Sequence, residues 1–366
     1  MQKEFNINKI KIPGIVAHIT NVCNFNCPEC QTFSNFNFTG HQLWKDYKDV
    51  YAKWADLIEI PWWNLQGGEP TLNPTFDEWI IGFRKLWPDL NGSVSTNGTT
   101  IKAKNQKLYK LLADNNVDIR VQLHNIDRRE SFLEELKNWL HGPIEISLSH
   151  GDKLEEIKNK WLVTYSKIRA NHWPECQTID DWDLLSEHIK EECRQKFNLS
   201  DPLTLLDTSA EIKFVDKNNV TVYVKNADVF GSSTLIPSDD RSGFKVHNSD
   251  PIVAHDVCIS KNCGSFTNGK LYKCHQVSHF PEFKQQFNIS FDNREDEDLF
   301  SSYSPATADM SELELQTFME NYDNPLPQCK FCPESVSYVD LKAQTKKIAF
   351  HKKTVDIYQK SKYNNS

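Results

Sequence analysis

Cys23, Cys27 and Cys30 fall in one short loop, Cys23-Asn24-Phe25-Asn26-Cys27-Pro28-Glu29-Cys30, directly after the apolar run Ile15-Val16-Ala17-His18-Ile19. Thiolates are ligands for soft metals, and iron–sulfur clusters are normally held by four of them. Three in one loop hold three irons of a cubane and leave the fourth iron open to another molecule. A zinc site would draw its fourth ligand from a second paired Cys or His motif. None lies nearby, and His18 sits inside the apolar run rather than in the loop.

A second group follows the spacing Cys258-x4-Cys263-x10-Cys274, and Cys329-x2-Cys332 comes some fifty residues later. The C-x2-C pair is a metal knuckle by itself, so a zinc ribbon is the plain alternative for this group. Five cysteines compete for four positions. Cys274, Cys329 and Cys332 are the firm members, and Cys258 and Cys263 compete for the last. His275 and His279 flank Cys274 as supporting or surface groups. Cys176 and Cys193 have no metal spacing and read as packing thiols.

Three further stretches carry polar or glycine-rich chemistry between these groups. Gly67-Gly68-Glu69-Pro70 lets backbone approach a ligand closely and offers a carboxylate to an ammonium group. Ser95-Thr96-Asn97-Gly98 is a turn with hydrogen-bonding side chains. Gln122-Leu123-His124 presents an imidazole, equally readable as a satisfied structural histidine or a substrate contact. Ser147 and Ser149 are weaker candidates of the same kind.

The elements that must position these groups alternate. Strands are expected at 13–19, 62–66, 93–96, 118–124 and 144–149. Helical spacing links Leu43, Tyr47, Val50, Tyr51, Trp54 and Leu57, then Phe76, Trp79, Ile80, Phe83 and Leu86, then Leu108, Leu111 and Leu112, then Phe132, Leu133, Leu136 and Leu140. Strand–helix alternation of this length implies an α/β fold with a parallel sheet and crossover helices. The special residues follow strands one to four, where both α/β barrels and open doubly wound sheets place their chemistry. A sixth strand is left unassigned between 203–206 and 212–215. Residues 182–189 look helical, 220–224 form an alternating strand, and 231–250 read as a linker or long loop.

The bulk composition narrows the class. With 366 residues, 39% hydrophobic and rich in Trp and Phe, the chain can bury a large core. It has no membrane-length apolar run and no secretory start, so a soluble cytoplasmic protein is expected. The net charge of −8 argues against broad nucleic-acid binding. The lysine-rich C-terminal end reads as a solvated face. Ten cysteines in a reducing compartment read as metal ligands rather than disulfides.

Together Cys23, Cys27 and Cys30 match the C-x3-C-x2-C signature of the radical S-adenosylmethionine (radical SAM) superfamily, with Glu29 where relatives usually carry an aromatic residue. Gly67-Gly68-Glu69-Pro70 resembles the family's GGEP motif, and Ser95-Thr96-Asn97-Gly98 its element after strand three. The resemblance implies a partial (β/α)6 TIM-like barrel and a [4Fe–4S] cluster on Cys23, Cys27 and Cys30. It also implies S-adenosylmethionine bound near Gly67, Gly68, Glu69, Pro70, Ser95, Thr96, Asn97 and His124. Reductive cleavage would then give a 5′-deoxyadenosyl radical that takes a hydrogen atom from substrate.

Cys258, Cys263, Cys274, Cys329 and Cys332 resemble the small α+β SPASM/twitch extension. No cysteine follows Cys332, so the shorter twitch type with one auxiliary [4Fe–4S] cluster is expected. The expected organisation is a barrel over 1–210, a strand and linker region over 211–255, the auxiliary domain over 256–340, and a basic helix or tail over 341–366. Flavodoxin or ferredoxin would supply electrons. The substrate would be a small-molecule alcohol or a peptide. Epimerisation and carbon–carbon or carbon–sulfur bond formation are rival outcomes, and a non-catalytic iron–sulfur or zinc scaffold is the rival of another class.

Overall fold

The computed structural model describes residues 9–27, 30–36, 39–124, 128–148, 211–226, 229–231, 235–237, 244–258, 264–287, 291, 293–335 and 338–340. It divides into two compact units. The first holds residues up to Val94 together with Gly231–Ser337, and the second spans Ser95–Phe230.

In the first unit, β1 (Ile15–His18), β2 (Trp62–Gln66) and β3 (Asn91–Thr96, whose last two residues open the second unit) run parallel. Ile15 lies opposite Trp63 and His18 opposite Gln66. Between the strands run α1 (Trp44–Leu57) and α2 (Phe76–Leu86). Tyr51, Trp54 and Ala55 of α1, and Phe76, Trp79, Ile80 and Phe83 of α2, are buried at helical spacing. Their rings interlock edge to face: Trp44 on Trp79 at 5.0 Å, and Trp54 on Phe266 at 5.2 Å. Two of the buried indoles keep partners, Trp54 Nε1 donating to Gly269 O and Trp79 Nε1 to Gln42 O.

The second unit contains α3 (Gln106–Asp114), β4 (Val117–Leu123), α4 (Arg129–Trp139), β5 (Glu145–Leu148), β6 (Glu211–Val215) and β7 (Thr221–Asn226). The strand expected at 144–149 forms, but it pairs antiparallel with β6. The parallel neighbour of β4 is instead β7, with Ile119 opposite Val222 and Leu123 opposite Asn226. Alternation identifies a strand without naming its partner. Here Val222 and Val224 of β7 are fully buried beside the buried Ile119 and Val121. Of the two sites considered for a sixth strand, 212–215 falls in β6, while 203–206 lies outside the described residues. So do the helix expected at 182–189, Cys176 and Cys193, Ser149 and the tail 341–366.

Two elements of the first unit come from late in the chain. The hairpin β8 (Ser265–Thr267) and β9 (Lys270–Tyr272) lays β8 parallel to β1, with Thr267 opposite His18. Asn268 and Gly269 make its turn with positive φ. After β9 the chain enters Lys273, Cys274 and α6 (His275–Phe287). Residues 231–250 contain paired strands, Leu235–Pro237 against Phe244–Val246, rather than linker alone. Leu235 and Val246 are buried in a core with Phe33, Phe280, Phe283, Phe300 and Phe331, which anchors these two strands. Among the described residues no helix is long and apolar enough to cross a membrane.

Candidate functional site

The cysteine triplet leaves the end of β1. Asn21 Nδ2 donates to Glu282 Oε2 at 2.9 Å, tying the entry of the loop to α6. Phe25 N donates to Cys23 Sγ at 3.4 Å, and Cys30 Sγ lies 3.4 Å from Thr32 Oγ1. The loop leaves through Phe33, whose N–H donates to Cys30 O and whose φ of 56° is unusual for a bulky residue. Phe33 is buried and stacks on Phe283 at 4.3 Å, a contact that helps hold that conformation.

The Gly67-Gly68-Glu69 turn is seated on the segment feeding the triplet. Gly68 N donates to Thr20 O at 2.7 Å, and Glu69 N to Val22 O at 2.8 Å. A Cβ on Gly67 would lie 2.5 Å from Thr20 O. One on Gly68 would lie 2.4 Å from Val22 O and 2.9 Å from Cys23 Cβ. No side chain fits either position, so backbone approaches backbone beside Cys23. Glu69 is fully buried and caps the short helical turn Pro70–Leu72, its Oε1 accepting from Thr71 Oγ1 at 2.6 Å. A buried carboxylate costs free energy unless it is hydrogen-bonded or faces a cation.

In the second unit Thr96 Oγ1 accepts from Gly98 N, and Asn97 Oδ1 accepts from Thr99 N and Thr99 Oγ1. Thr96 and Asn97 are buried, and Ser95 is half-buried. Gly98 takes a φ of 74°, and a Cβ there would meet Phe132 and Val121 within 3 Å. That turn therefore demands glycine for both reasons. His124 follows β4, half-buried, with its N–H donating to Gln122 O.

The late cysteines converge. Cys258, Cys274, Cys329 and Cys332 all line one pocket, whose floor includes Val277, Phe280, Phe300 and Phe331. Cys258 N donates to His255 O just after α5 (Pro251–Asp256), and Cys332 N to Cys329 O in the turn Pro327–Phe331. Burial pushes the Cys274 thiol up to about 12, with the neighbouring Cys258 and Cys329 adding to the rise. Burial also holds Cys332 well above its usual range, reinforced by Cys274, Cys258 and Cys329. Cys329 is raised by burial and partly brought back by the Leu326 amide and the Lys273 ammonium. Unliganded, these thiols stay protonated, and ionising one disfavours ionising the next. Among the described cysteines none is in a disulfide. Among the described residues no three metal-binding side chains converge on a single-ion site. Cys263, Pro28 and Glu29 lie outside the described residues.

Two features were not singled out by motif. Lys273, next to Cys274, lines the same pocket. The histidines also gather: His18 of β1 packs on His279 at 4.1 Å, and His279 stacks parallel to His275 at 6.4 Å. All three are buried, so His275 and His279 are not surface groups. His18 Nδ1, His275 Nδ1 and His279 Nε2 have no hydrogen-bond partner. Burial lowers His18 and His275 to about 4 and His279 well below its usual value, so the trio is neutral. No sequence period reports such a meeting, because it depends on β8 placing α6 over β1.

No protein-family model matches the chain. A curated GTP 3′,8-cyclase of Nautilia profundicola is 30% identical over 100 residues, which is 27% of this chain and 31% of that protein. The chain thus matches about a third of that relative's length. Among solved structures, SuiB of Streptococcus suis bound to S-adenosylmethionine is 21% identical over 34% of this chain and 28% of that one, with a TM-score of 0.28. The protein anSMEcpe with bound AdoMet and Cp18Cys peptide is 17% identical over 35% of this chain and 40% of that one, with a TM-score of 0.28. BtrN in complex with AdoMet and 2-DOIA is 18% identical over 31% and 46%, with a TM-score of 0.23. Each likeness covers a fraction of either chain.

Proposed function

We propose that this chain, a relative of the radical SAM enzymes, binds S-adenosylmethionine at the Cys23–Cys27–Cys30 loop, cleaves it reductively and takes a hydrogen atom from a substrate. The observation that carries this reading is the seating of Gly67-Gly68-Glu69 against Thr20, Val22 and Cys23, too close for any side chain. A turn held there places backbone beside Cys23 with the buried Glu69 carboxylate one residue on, an arrangement that suits an amino-acid-like ligand. A [4Fe–4S] cluster on the triplet would supply the electron and one iron open to the ligand's amino and carboxylate groups. Cys23, Cys27 and Cys30 would hold it through their sulfurs. Glu69 accepts from the ligand's ammonium, and Gly67, Gly68 and Pro70 shape the turn around it. Ser95, Thr96 and Asn97 orient its ribose and carboxylate, and His124 contacts the ligand or the substrate. The scaffold is read as a partial TIM-like barrel.

The second thiol pocket fits an auxiliary [4Fe–4S] cluster of twitch type. Its donor set supports this: four thiols around one pocket, with three of them held protonated by burial when nothing is bound. A cluster would take them as thiolates, its irons offsetting the charge that burial disfavours, so loading would release protons. Thiolates on one tetrahedral zinc would stand about 3.8 Å apart, given Zn–S bonds of about 2.3 Å. A cubane spreads its thiolates farther. Cys258 stands with the other three in the pocket, which favours it as the fourth ligand.

The substrate is read as a small-molecule alcohol or a peptide, and a flavodoxin or ferredoxin as electron donor. The reading is tested by anaerobic reconstitution with iron, sulfide and zinc counts. About eight irons per chain, two cubanes' worth, is expected. Zinc without iron would overturn both assignments, and about four irons with intact cleavage of S-adenosylmethionine would overturn only the auxiliary one.

A further inference from the structure

Lys273 is an unusual residue to find beside four thiols. It is only 8% exposed, yet it carries an ammonium. Its backbone N–H donates to Tyr303 Oη at 3.0 Å, and its Nζ donates to the carbonyl oxygens of Asn321 and, at 3.1 Å, Asn324. The Nζ lies 6.0 Å from the centre of the Tyr322 ring. Carbonyls and a ring face suit a cation, since an ammonium donates and never accepts. The groups that bear on it electrostatically are the Cys329 sulfur and Asp323. Neither Asn321 nor Asn324 offers it a compensating charge through a backbone carbonyl. Holding a long flexible cation this way costs desolvation and side-chain entropy. A shorter neutral residue would fill the same space at lower cost.

The pocket gives that cost a purpose. Asn324, Tyr322 and Lys273 line it together with Cys258, Cys274, Cys329 and Cys332. The potential of an iron–sulfur cluster depends on the net charge around it, on hydrogen bonds to its sulfurs and on solvent exposure. One-electron reduction adds one negative charge. A cation fixed nearby in a medium drier than water favours the reduced state over the oxidised one. We propose that Lys273 sets the charge of the second thiol pocket, its ammonium locked by the Asn321 and Asn324 carbonyls so that a cluster there is more easily reduced than with a neutral residue. This rests on reading that pocket as an iron–sulfur site. Lys273 acts through the cluster and touches no substrate.

The test compares full-length wild type, K273M and K273R, each reconstituted anaerobically and titrated potentiometrically with detection by electron paramagnetic resonance. K273M is expected to make the second cluster at least tenfold harder to reduce at a given potential, a downward shift of about 59 mV or more for a one-electron couple. The triplet's cluster should stay where it was, and K273R should stay near wild type. Should K273M not retain the second cluster, K273Q, which keeps a donor without the charge, carries the same test. Coincident second-cluster potentials in wild type and the neutral variant would overturn the proposal, as would an equal shift of both clusters. Wild type with only about four irons per chain, one cubane's worth, would instead overturn the pocket's assignment, so the two failures are distinct.

Discussion

Replacing Gly68 with Ala adds one carbon where the structure has no room. That carbon would lie 2.4 Å from Val22 O, 2.6 Å from Val22 C and 2.9 Å from Cys23 Cβ. Unstrained carbon contacts begin at about 3.5 Å, so the turn and the segment after β1 must part by about an ångström. They cannot part freely, because Gly68 N and Glu69 N are bonded to Thr20 O and Val22 O across the same seam. Overpacking of this kind costs about 1 to 3 kcal/mol, and weakening two buried hydrogen bonds adds about 1 kcal/mol. Against this, Ala orders the unfolded chain and returns up to about 1 kcal/mol. Gly68 does not need a left-handed φ, so the net loss of about 1 to 3 kcal/mol is steric. Chemical denaturation should show a lower midpoint in G68A with far-UV circular dichroism preserved. Iron loading at the triplet and S-adenosylmethionine binding should fall with it, because the displaced atoms adjoin Cys23. A G68A protein that denatures, loads iron and binds ligand like wild type would refute the claim that this close approach builds the site.

Other expectations are independent of that one. His18 is lowered from its ordinary 6.5 to about 4, mainly by burial. Its folded value lies below its unfolded one, so its stabilising share is complete above pH 6.5 and is lost as the pH falls towards 4. Taken alone that share is about 3 kcal/mol. Urea midpoints should therefore drop between pH 7 and 4.5, and less steeply in H18Q; parallel slopes would discount the histidine trio. Asp216, 4% exposed, accepts from Tyr109 Oη at 2.5 Å and from the amides of His141, Asn218 and Val220. D216A strands several buried donors and should cost at least about 3 kcal/mol in the second unit, seen as faster amide exchange in β6 and β7. C332A should lower iron from about eight to about four per chain while leaving some uncoupled cleavage of S-adenosylmethionine. Unchanged iron would remove Cys332 from the ligand set.

Local chemistry was legible in the sequence wherever one residue type answers one physical demand. Gly67 and Gly68 lie where no Cβ fits, and Gly98 where the backbone is left-handed. Tyr51, Trp54, Phe76, Trp79 and Phe83 revealed helices by their buried spacing. What depends on pairing at long range was hidden. The choice of β7 over β5 as partner of β4 is made by buried valines meeting across about a hundred residues of chain. The paired strands at 235–237 and 244–246 are ordered by a phenylalanine core drawn from 33 to 331. The histidine trio could be seen only once β8 was placed beside β1, and the place of Lys273 only once Cys258, Cys274, Cys329 and Cys332 were gathered around one pocket, because nothing in their spacing announces either meeting.

The central claim is that Cys23, Cys27 and Cys30 hold an iron–sulfur centre that cleaves S-adenosylmethionine. The direct measurement is 5′-deoxyadenosine formed by the reconstituted full-length protein with dithionite and S-adenosylmethionine, wild type against C27A. Wild type should form 5′-deoxyadenosine and methionine together in equal amounts, and C27A should form neither while retaining its second-pocket iron. Undiminished 5′-deoxyadenosine from C27A, or none from iron-loaded wild type, would contradict the assignment.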